Sequence, residues 1–330
     1  MTTVKICTAI VLSLALSAFW HSPGWTQRLS VGYSALSGDH LPAWVAKETG
    51  IFQKNGLDVQ LVFFTGGTTA VMALVSADTP FSQAAGSGVV NSVLAGSDAV
   101  IIGGGVTSLN YYLMSKPEIK TAEQLKGGTV AISRFGSSSD FIARYALQKI
   151  GLTPGKDVNL VQVGSTTQRV DATMTGRVQA TVVNPPASFI AAKRGMNTLA
   201  DLPKLGLVYQ HTGAVSTRKY IRENPDVVRR YVRSQVEAVH RIYTDKATSL
   251  KVLAKYFGGN VEQDILEKTW ENLLSEPVLP RKQYPSIEGI KTILATEAKG
   301  KPAKPEDFVD LTFIQELDKS GFIDGLYKKK

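Results

Sequence analysis

The sequence predicts an α/β fold built from two units, and three observations carry that reading. Over the first hundred residues short apolar strands alternate with short helices, the pattern of a mainly parallel sheet covered by helices. The same alternation restarts at Thr121. Glycine- and serine-rich loops follow the strands of both units, so both sets of loops are placed to face one cleft between the units.

The elements follow in order. Leu29–Tyr33 opens a strand, the polar loop SALSGDH follows, and LPAWVAKETGIF has helical spacing with Gly50 placed to end it. LDVQLVFF reads as a strand, GGTTAVMALVSAD as a glycine turn into a helix, PFSQAAG as a strand, SGVVNSVLAG as a helix and AVIIGGG as a strand. The second unit runs from about Lys116 to Pro203. In it AEQLKG is a brief helix, TVAIS a strand, GSSSDFIARYALQKIGL a helix and VNLVQVG a strand; TTQRVDATMTG is a helix, VQATVVN a strand and PPASFIAAKRG a helix. GLVYQHTGAVS is strand-like, and from Tyr220 onward the chain reads as helices, the longest being PDVVRRYVRSQVEAVHRIYTDK, opened by proline.

Residues 1–24 read as a secretory signal peptide: Lys5 precedes an apolar run from Ile6 to about Phe19, with no acid in the segment. That run is short of the about 20 residues a membrane span needs, which argues against an uncleaved anchor. Ala15-x-Ser17 and Ser22-x-Gly24 both offer small residues for cleavage. The single cysteine, Cys7, lies inside this segment and ahead of its apolar run. A processed chain would therefore carry no disulfide, thiolate nucleophile or cysteine-bound metal, and no lipid-bearing cysteine at a cleavage point. The expectation is a free, soluble, monomeric protein of the periplasm. Hydrophobic residues at 43% and charged residues at 20% suit a globular chain. The net charge of +9 comes from basic residues dispersed over helix-like segments, densest at Arg229, Arg230, Arg233 and Arg241, and from the tail Lys328–Lys330. Neither set is interleaved with aromatics, so nucleic acid is excluded as a partner.

The loop RFGSSSDF is the foremost binding candidate. Free N–H groups at a helix start and the hydroxyls of Ser137, Ser138 and Ser139 make an anion cradle, and Arg134 adds charge. The other reading of Ser137 is a helix cap alone. Asp140 is either a solvated first-turn acid favoured by the helix dipole, or a pocket acid suited to an amine or ring N–H. From the first unit come Ser37, Asp39 and His40, the helix-start residues Gly67 and Thr68, and Gly86 with Ser87. Ser165 follows one strand of the second unit and Asn184 ends another. Asn110, Tyr111 and His211 lie near the junctions between units. Tyr111 is placed to stack on a ring, although alternation sends one of Tyr111 and Tyr112 into the core. No catalytic residue, metal ligand or cofactor site is expected. The four histidines, at 21, 40, 211 and 240, lack metal-ligand spacing. The glycine-rich loops match neither a P-loop nor a dinucleotide fingerprint, and GSSSD is not a GxSxG elbow.

Two stretches resemble a known family. LSVGYSALSGDHLPAWVAKETGIFQKNGLDVQLVFFTGGTTAVMAL, with Ala46, Gly50, Phe52 and Gly56–Val59, and KGGTVAISRFGSSSDFIARYALQKIGLTPGKDVNLVQVG resemble substrate-binding proteins of bacterial ABC transporters for nitrate, sulfonates and taurine, related to thiamine-precursor binding proteins (NMT1/THI5-like). The resemblance covers about Leu29 to Gly213. It implies the two-lobed type II periplasmic binding fold with extra C-terminal helices. Lobe one would be 28–114 with 208–330 and lobe two 115–207, hinged on two crossover strands near Asn110–Ser115 and Leu207–Val215. It also implies capture of a small organic acid, a sulfonate or carboxylate with room for an amine or aromatic ring, and delivery to a membrane permease driven by its ATPase. In the family the loop matching Ser137–Ser139 bonds a carboxylate, sulfonate or nitrate oxygen. Two other readings stay open. One is a periplasmic ligand sensor for a membrane receptor. The other is an enzyme of the same fold related to pyrimidine-precursor synthesis, whose cysteine-rich motif the processed chain would lack.

Overall fold

Two five-stranded sheets of matching topology organise the chain. The computed structural model describes residues 28–275, 278–297 and 302–328, so the leader 1–24 lies outside the described residues. The strands are β1 (Arg28–Tyr33), β2 (Asp58–Phe63), β3 (Phe81–Ala85), β4 (Ala99–Gly103), β5 (Tyr112–Ser115), β6 (Thr129–Ile132), β7 (Asn159–Gln162), β8 (Ala180–Val183), β9 (Asn197–Asp201) and β10 (Thr212–Thr217). The first sheet has the order β2-β1-β3-β10-β4 and the second β7-β6-β8-β5-β9. In the first, β2 and β3 flank β1 in parallel, and β10 runs antiparallel to both neighbours. In the second, β7 and β8 flank β6 in parallel, and β5 runs antiparallel to β8 and β9. Each sheet thus holds one reversed strand at the equivalent place, entered directly from the other lobe.

The chain passes between the sheets twice, between Gly103 and Tyr112 and between Asp201 and Thr212. An antiparallel bridge joins Ser108 to Val208, so the two passages touch. These passages start earlier than the sequence reading has them. Tyr112–Ser115 is already strand β5 of the second sheet, and Thr212–Thr217 is strand β10 of the first. The sequence reading also gives no strand at Asn197–Asp201. That piece is an edge strand whose burial alternates only weakly, so it has little hydrophobic pattern to read.

Lobe one is closed by the long helix Pro225–Thr244, which buries Val228, Tyr231, Val232, Val236 and Val239 on one face. Tyr231 stacks between Phe81 of β3, at 4.0 Å, and Phe52, at 5.8 Å. The segment between the helices Gln263–Leu274 and Ile287–Glu297 braces both passages. Gln283 accepts from Gly104 N through its carbonyl at 2.6 Å and from Gly105 N through Oε1 at 2.9 Å. Gln210 donates to the carbonyls of Gly104 and Thr212 and accepts from Ser286 N.

Gly86 belongs to this brace. A Cβ built on it falls 2.3 Å from the carbonyl oxygen of Gln210, and its own N–H donates to the His211 carbonyl at 3.2 Å. Gly86→Ala should therefore push the second passage off the sheet and cost about 1–3 kcal/mol, the usual range for overpacking. Urea denaturation measures it; an unchanged midpoint would mean that this approach is not needed for folding.

Candidate functional site

A cavity of about 110 Å³ lies between the two sheets. Lobe one supplies Ser34, Leu36, Ser37, His40, Phe63, Gly66, Gly67 and Ala85; the passages supply Tyr111, His211 and Thr212; lobe two supplies Ser133, Ser137–Ser139, Ser165–Thr167 and Arg169. Three helices of eight residues or more begin at its wall: Gly67–Val75, Ser138–Lys149 and Thr166–Met174. Their first N–H groups and dipoles make this wall favourable to negative charge. Gly66, at φ 92°, lets the lobes meet there, because a Cβ on it would stand 3.1 Å from Ser133 Oγ of lobe two.

The serine loop forms a closed hydroxyl network. Ser133, Ser137 and Ser139 are joined pairwise at 2.8–2.9 Å, and Ser133 N donates to Ser139 Oγ at 2.8 Å. Ser137 is the N-cap by position, yet its side chain makes no cap bond and donates instead to the Arg134 carbonyl at 2.6 Å. Ser138 differs from its neighbours: its hydroxyl is buried at the cavity wall and has no protein partner. Ser165 lines the cavity and also caps the next helix, accepting from Gln168 N while Gln168 Oε1 accepts from Ser165 N.

Arg169 is the charged group of the cavity, and sequence reasoning missed it. It sits in the first turns of the helix Thr166–Met174 and is 4% exposed. Its guanidinium donates to the carbonyls of Gly164 (2.9 Å) and Val182 (3.2 Å), and to the hydroxyls of Thr181 (3.3 Å) and Thr166 (3.5 Å). All four acceptors are neutral, and among the described residues no carboxylate forms an ion pair with it. Burial pulls its pKa down to about 10, opposed by Tyr111, so it stays charged at neutral pH. A buried, hydrogen-bonded and uncompensated cation at a cavity wall is suited to an anion.

A second polar cluster closes the opposite wall. Asp39 is 2% exposed and its Oδ2 accepts from Ser37 Oγ (3.2 Å), His211 Nε2 (3.1 Å) and Asn184 Nδ2. His40 Nε2 stands 3.5 Å from Ser34 Oγ. Burial pushes the His40 imidazole down to about 4; Asp39 pulls the other way and His211 adds to the lowering. The Tyr111 hydroxyl is held protonated far above its ordinary range by burial first and Asp39 second, with Arg169 opposing. The Tyr111 and His211 rings meet edge-on at 5.0 Å. His40 Nδ1 and His211 Nδ1 are buried without protein partners.

Of the seventeen residues proposed from sequence, Ser37, His40, Gly67, Tyr111, Ser137, Ser138, Ser139, Ser165 and His211 line the cavity. The others stand elsewhere, each for a physical reason. Asp39 and Asn184 bond each other behind the wall. Arg134 points into solvent. Asp140 is tied down locally, Oδ2 accepting from Gly136 N (2.9 Å) and Oδ1 from Arg144 Nε (2.8 Å). Asn110 donates to Asn272 of a C-terminal helix. Thr68 reaches over the rim to the Phe135 carbonyl at 3.5 Å. Gly86 packs on Gln210, and Ser87 is fully buried away from the cavity.

Comparisons with known proteins agree with this fold. The family described as NMT1/THI5 like matches residues 37–247. The chain is 21% identical to YtlA of Bacillus subtilis over 293 residues, covering 86% of this chain and 87% of that one. Its fold is similar to the alkanesulfonate-binding protein SsuA from Xanthomonas axonopodis bound to MOPS, with a TM-score of 0.69, 22% identity and coverage of 82% and 90% of the two chains. It is also similar to the periplasmic nitrate-binding protein NrtA from Synechocystis, with a TM-score of 0.70, 16% identity and coverage of 89% and 86%.

Proposed function

The chain belongs to the NMT1/THI5-like family of periplasmic solute-binding proteins of ABC importers, and we propose that its interlobe cavity captures a small organic acid with Arg169 as the anchor. It is a carrier and not an enzyme. The observation that supports the acid is the buried guanidinium without a carboxylate, set beside three helix N-termini and the free Ser138 hydroxyl. A sulfonate or carboxylate oxygen placed among them receives charge-assisted hydrogen bonds from several directions. Tyr111, His40 and His211 then face the remainder of the ligand, and Leu36 and Phe63 supply apolar surface.

Size narrows the class. A cavity of about 110 Å³ is a small one. That fits a short amino or aromatic acid better than a polymer or a nucleotide. An inorganic anion alone would leave the histidine wall unpartnered. Release to a membrane permease driven by its ATPase completes the function.

A thermal-shift screen tests this. Nitrate, taurine, alkanesulfonates, aromatic acids and pyrimidine precursors are each added in excess. A ligand at a hundred times its Kd stabilises by about 2.7 kcal/mol, which a melting curve resolves as a shift of several degrees. At least one organic acid is expected to give that shift. Nitrate as the sole hit would overturn the organic ligand, and a neutral sugar as the sole hit would overturn the acid.

A further inference from the structure

We propose that Gly38 and Asp39 form a latch that clasps Asn184 and Pro185 across the cleft, and that this latch biases the lobes toward the closed arrangement. The contact is made at two points by two adjacent residues on each side. Gly38 N donates to the Pro185 carbonyl at 3.2 Å, and Asn184 Nδ2 donates to Asp39 Oδ2. Gly38 and Asp39 belong to a three-residue helical turn of lobe one, Gly38–His40; Asn184 and Pro185 leave the end of β8 in lobe two.

The other partners of Asp39 move with lobe one. Ser37 is its near neighbour in the chain. His211 is fixed to lobe one by its backbone, its N–H donating to the Val106 carbonyl and its carbonyl accepting from Gly86 N. Opening the cleft therefore leaves Asp39 with Ser37 and His211 and removes only the Asn184 arm. That arm is the part of the cluster that reads closure.

Other polar contacts between the lobes are weaker in kind. Lys193 reaches Glu262 at 2.8 Å and Asp264 at 3.0 Å, but its side chain is 43% exposed and theirs are 67% and 47% exposed. Exposed pairs of this sort contribute little. Thr68 to the Phe135 carbonyl (3.5 Å) and Asn91 to the Gly136 carbonyl (3.4 Å) are long. The Asp39–Asn184 bond is buried and charge-assisted, so water does not compete for it in the closed state. His211 connects it to the ligand: one edge of its ring bonds the latch and the ring itself lines the cavity. A ligand that packs on His211 and Tyr111 steadies the same residue that steadies Asp39.

The test uses the full processed chain, freed of bound solute by unfolding, dialysis and refolding, and measured by small-angle scattering with no ligand added. The outcome is thus separate from the identity of the ligand. Wild-type protein is expected to scatter as a mixture of this closed shape and a wider open one. Asn184→Ala should shift the open–closed ratio by about tenfold or more toward open, the range for a charged hydrogen bond, and raise the radius of gyration. Asn184→Asp keeps the side-chain shape but sets a carboxylate against Asp39, so it should open the protein further. Lys193→Ala should leave the curve unchanged. Circular dichroism checks that each variant is folded, and Asn184→Ala decides alone if Asn184→Asp is not. Scattering from Asn184→Ala indistinguishable from wild type would overturn the latch, and so would a ligand-free wild type that is already fully open.

Discussion

Arg169→Met is expected to weaken acid binding sharply in a chain that still folds. The guanidinium has five N–H donors and four already bond protein acceptors, so one is left for the acid. A charged hydrogen bond lost is worth about 1.5–3 kcal/mol, roughly one to two powers of ten in Kd. Stability should fall as well. The variant gives up bonds to the carbonyls of Gly164 and Val182, but it also removes a buried cation with no carboxylate beside it. Leaving those buried acceptors without a donor costs about 1–3 kcal/mol each, offset in part because the removed cation was itself buried without a countercharge. Arg169→Lys should fall between, keeping the charge but losing the planar guanidinium whose other N–H groups bond Gly164, Val182 and Thr181 and so hold it at the cavity wall. Titration calorimetry with whichever acid raises the melting temperature gives the affinities, and urea denaturation gives the stabilities. Wild-type affinity in Arg169→Met would mean that the anchor lies elsewhere, with the serine loop as the next candidate.

The contrast between Arg134 and Arg169 shows how far the sequence reaches into the site. Arg134 sits in an obvious binding loop and points to solvent; Arg169 sits inside an ordinary amphipathic helix and faces the cavity. A weak signal did exist. Four helical arginines on the surface pair with an acid three or four positions away: Arg144 with Asp140, Arg229 with Asp226, Arg233 with Glu237 and Arg241 with Asp245. Arg169 has Ser165, Thr166, Ala172 and Thr173 at those positions. An arginine flanked by small residues and lacking a local acid must find its partner elsewhere.

The fold was legible for a different reason. Strand and helix periodicity are local, and the first sheet's strands β1 to β4 alternate with helices as the pattern says. What the pattern does not hold is which reversed strand enters which sheet. Strand β5 pairs with β8 and β9, and β10 with β3 and β4, through contacts far apart in sequence. Asp39 and Asn184 make the same point at the site. Each was recognisable as a polar residue at a strand end or loop facing the cleft. They are 145 positions apart, and nothing local says that they meet each other rather than a ligand.

His40 gives the remaining large effect, on stability against pH. Its folded-state pKa is about 4 against an ordinary 6.5, and burial is the main cause. The folded protein therefore refuses a proton that the unfolded chain accepts. Stability from this group is full above pH 6.5, falls as the pH drops through 6.5 toward 4, and changes no further below that. A difference of about 2.5 pK at 1.36 kcal/mol each gives a loss of roughly 3 kcal/mol across the window. Carboxylates and the partly buried His240 also titrate there, so the useful quantity is a difference between proteins. His40→Asn keeps a polar side chain in the pocket and removes the ionisation. Urea denaturation of both proteins at pH 7.5, 5.5 and 4.5 should show the variant losing less stability than wild type as the pH falls, the gap widening at each step. A gap that stays constant over this range would mean that His40 takes up its proton in the folded state as readily as in water, and that the wall it forms is wetter than its burial implies.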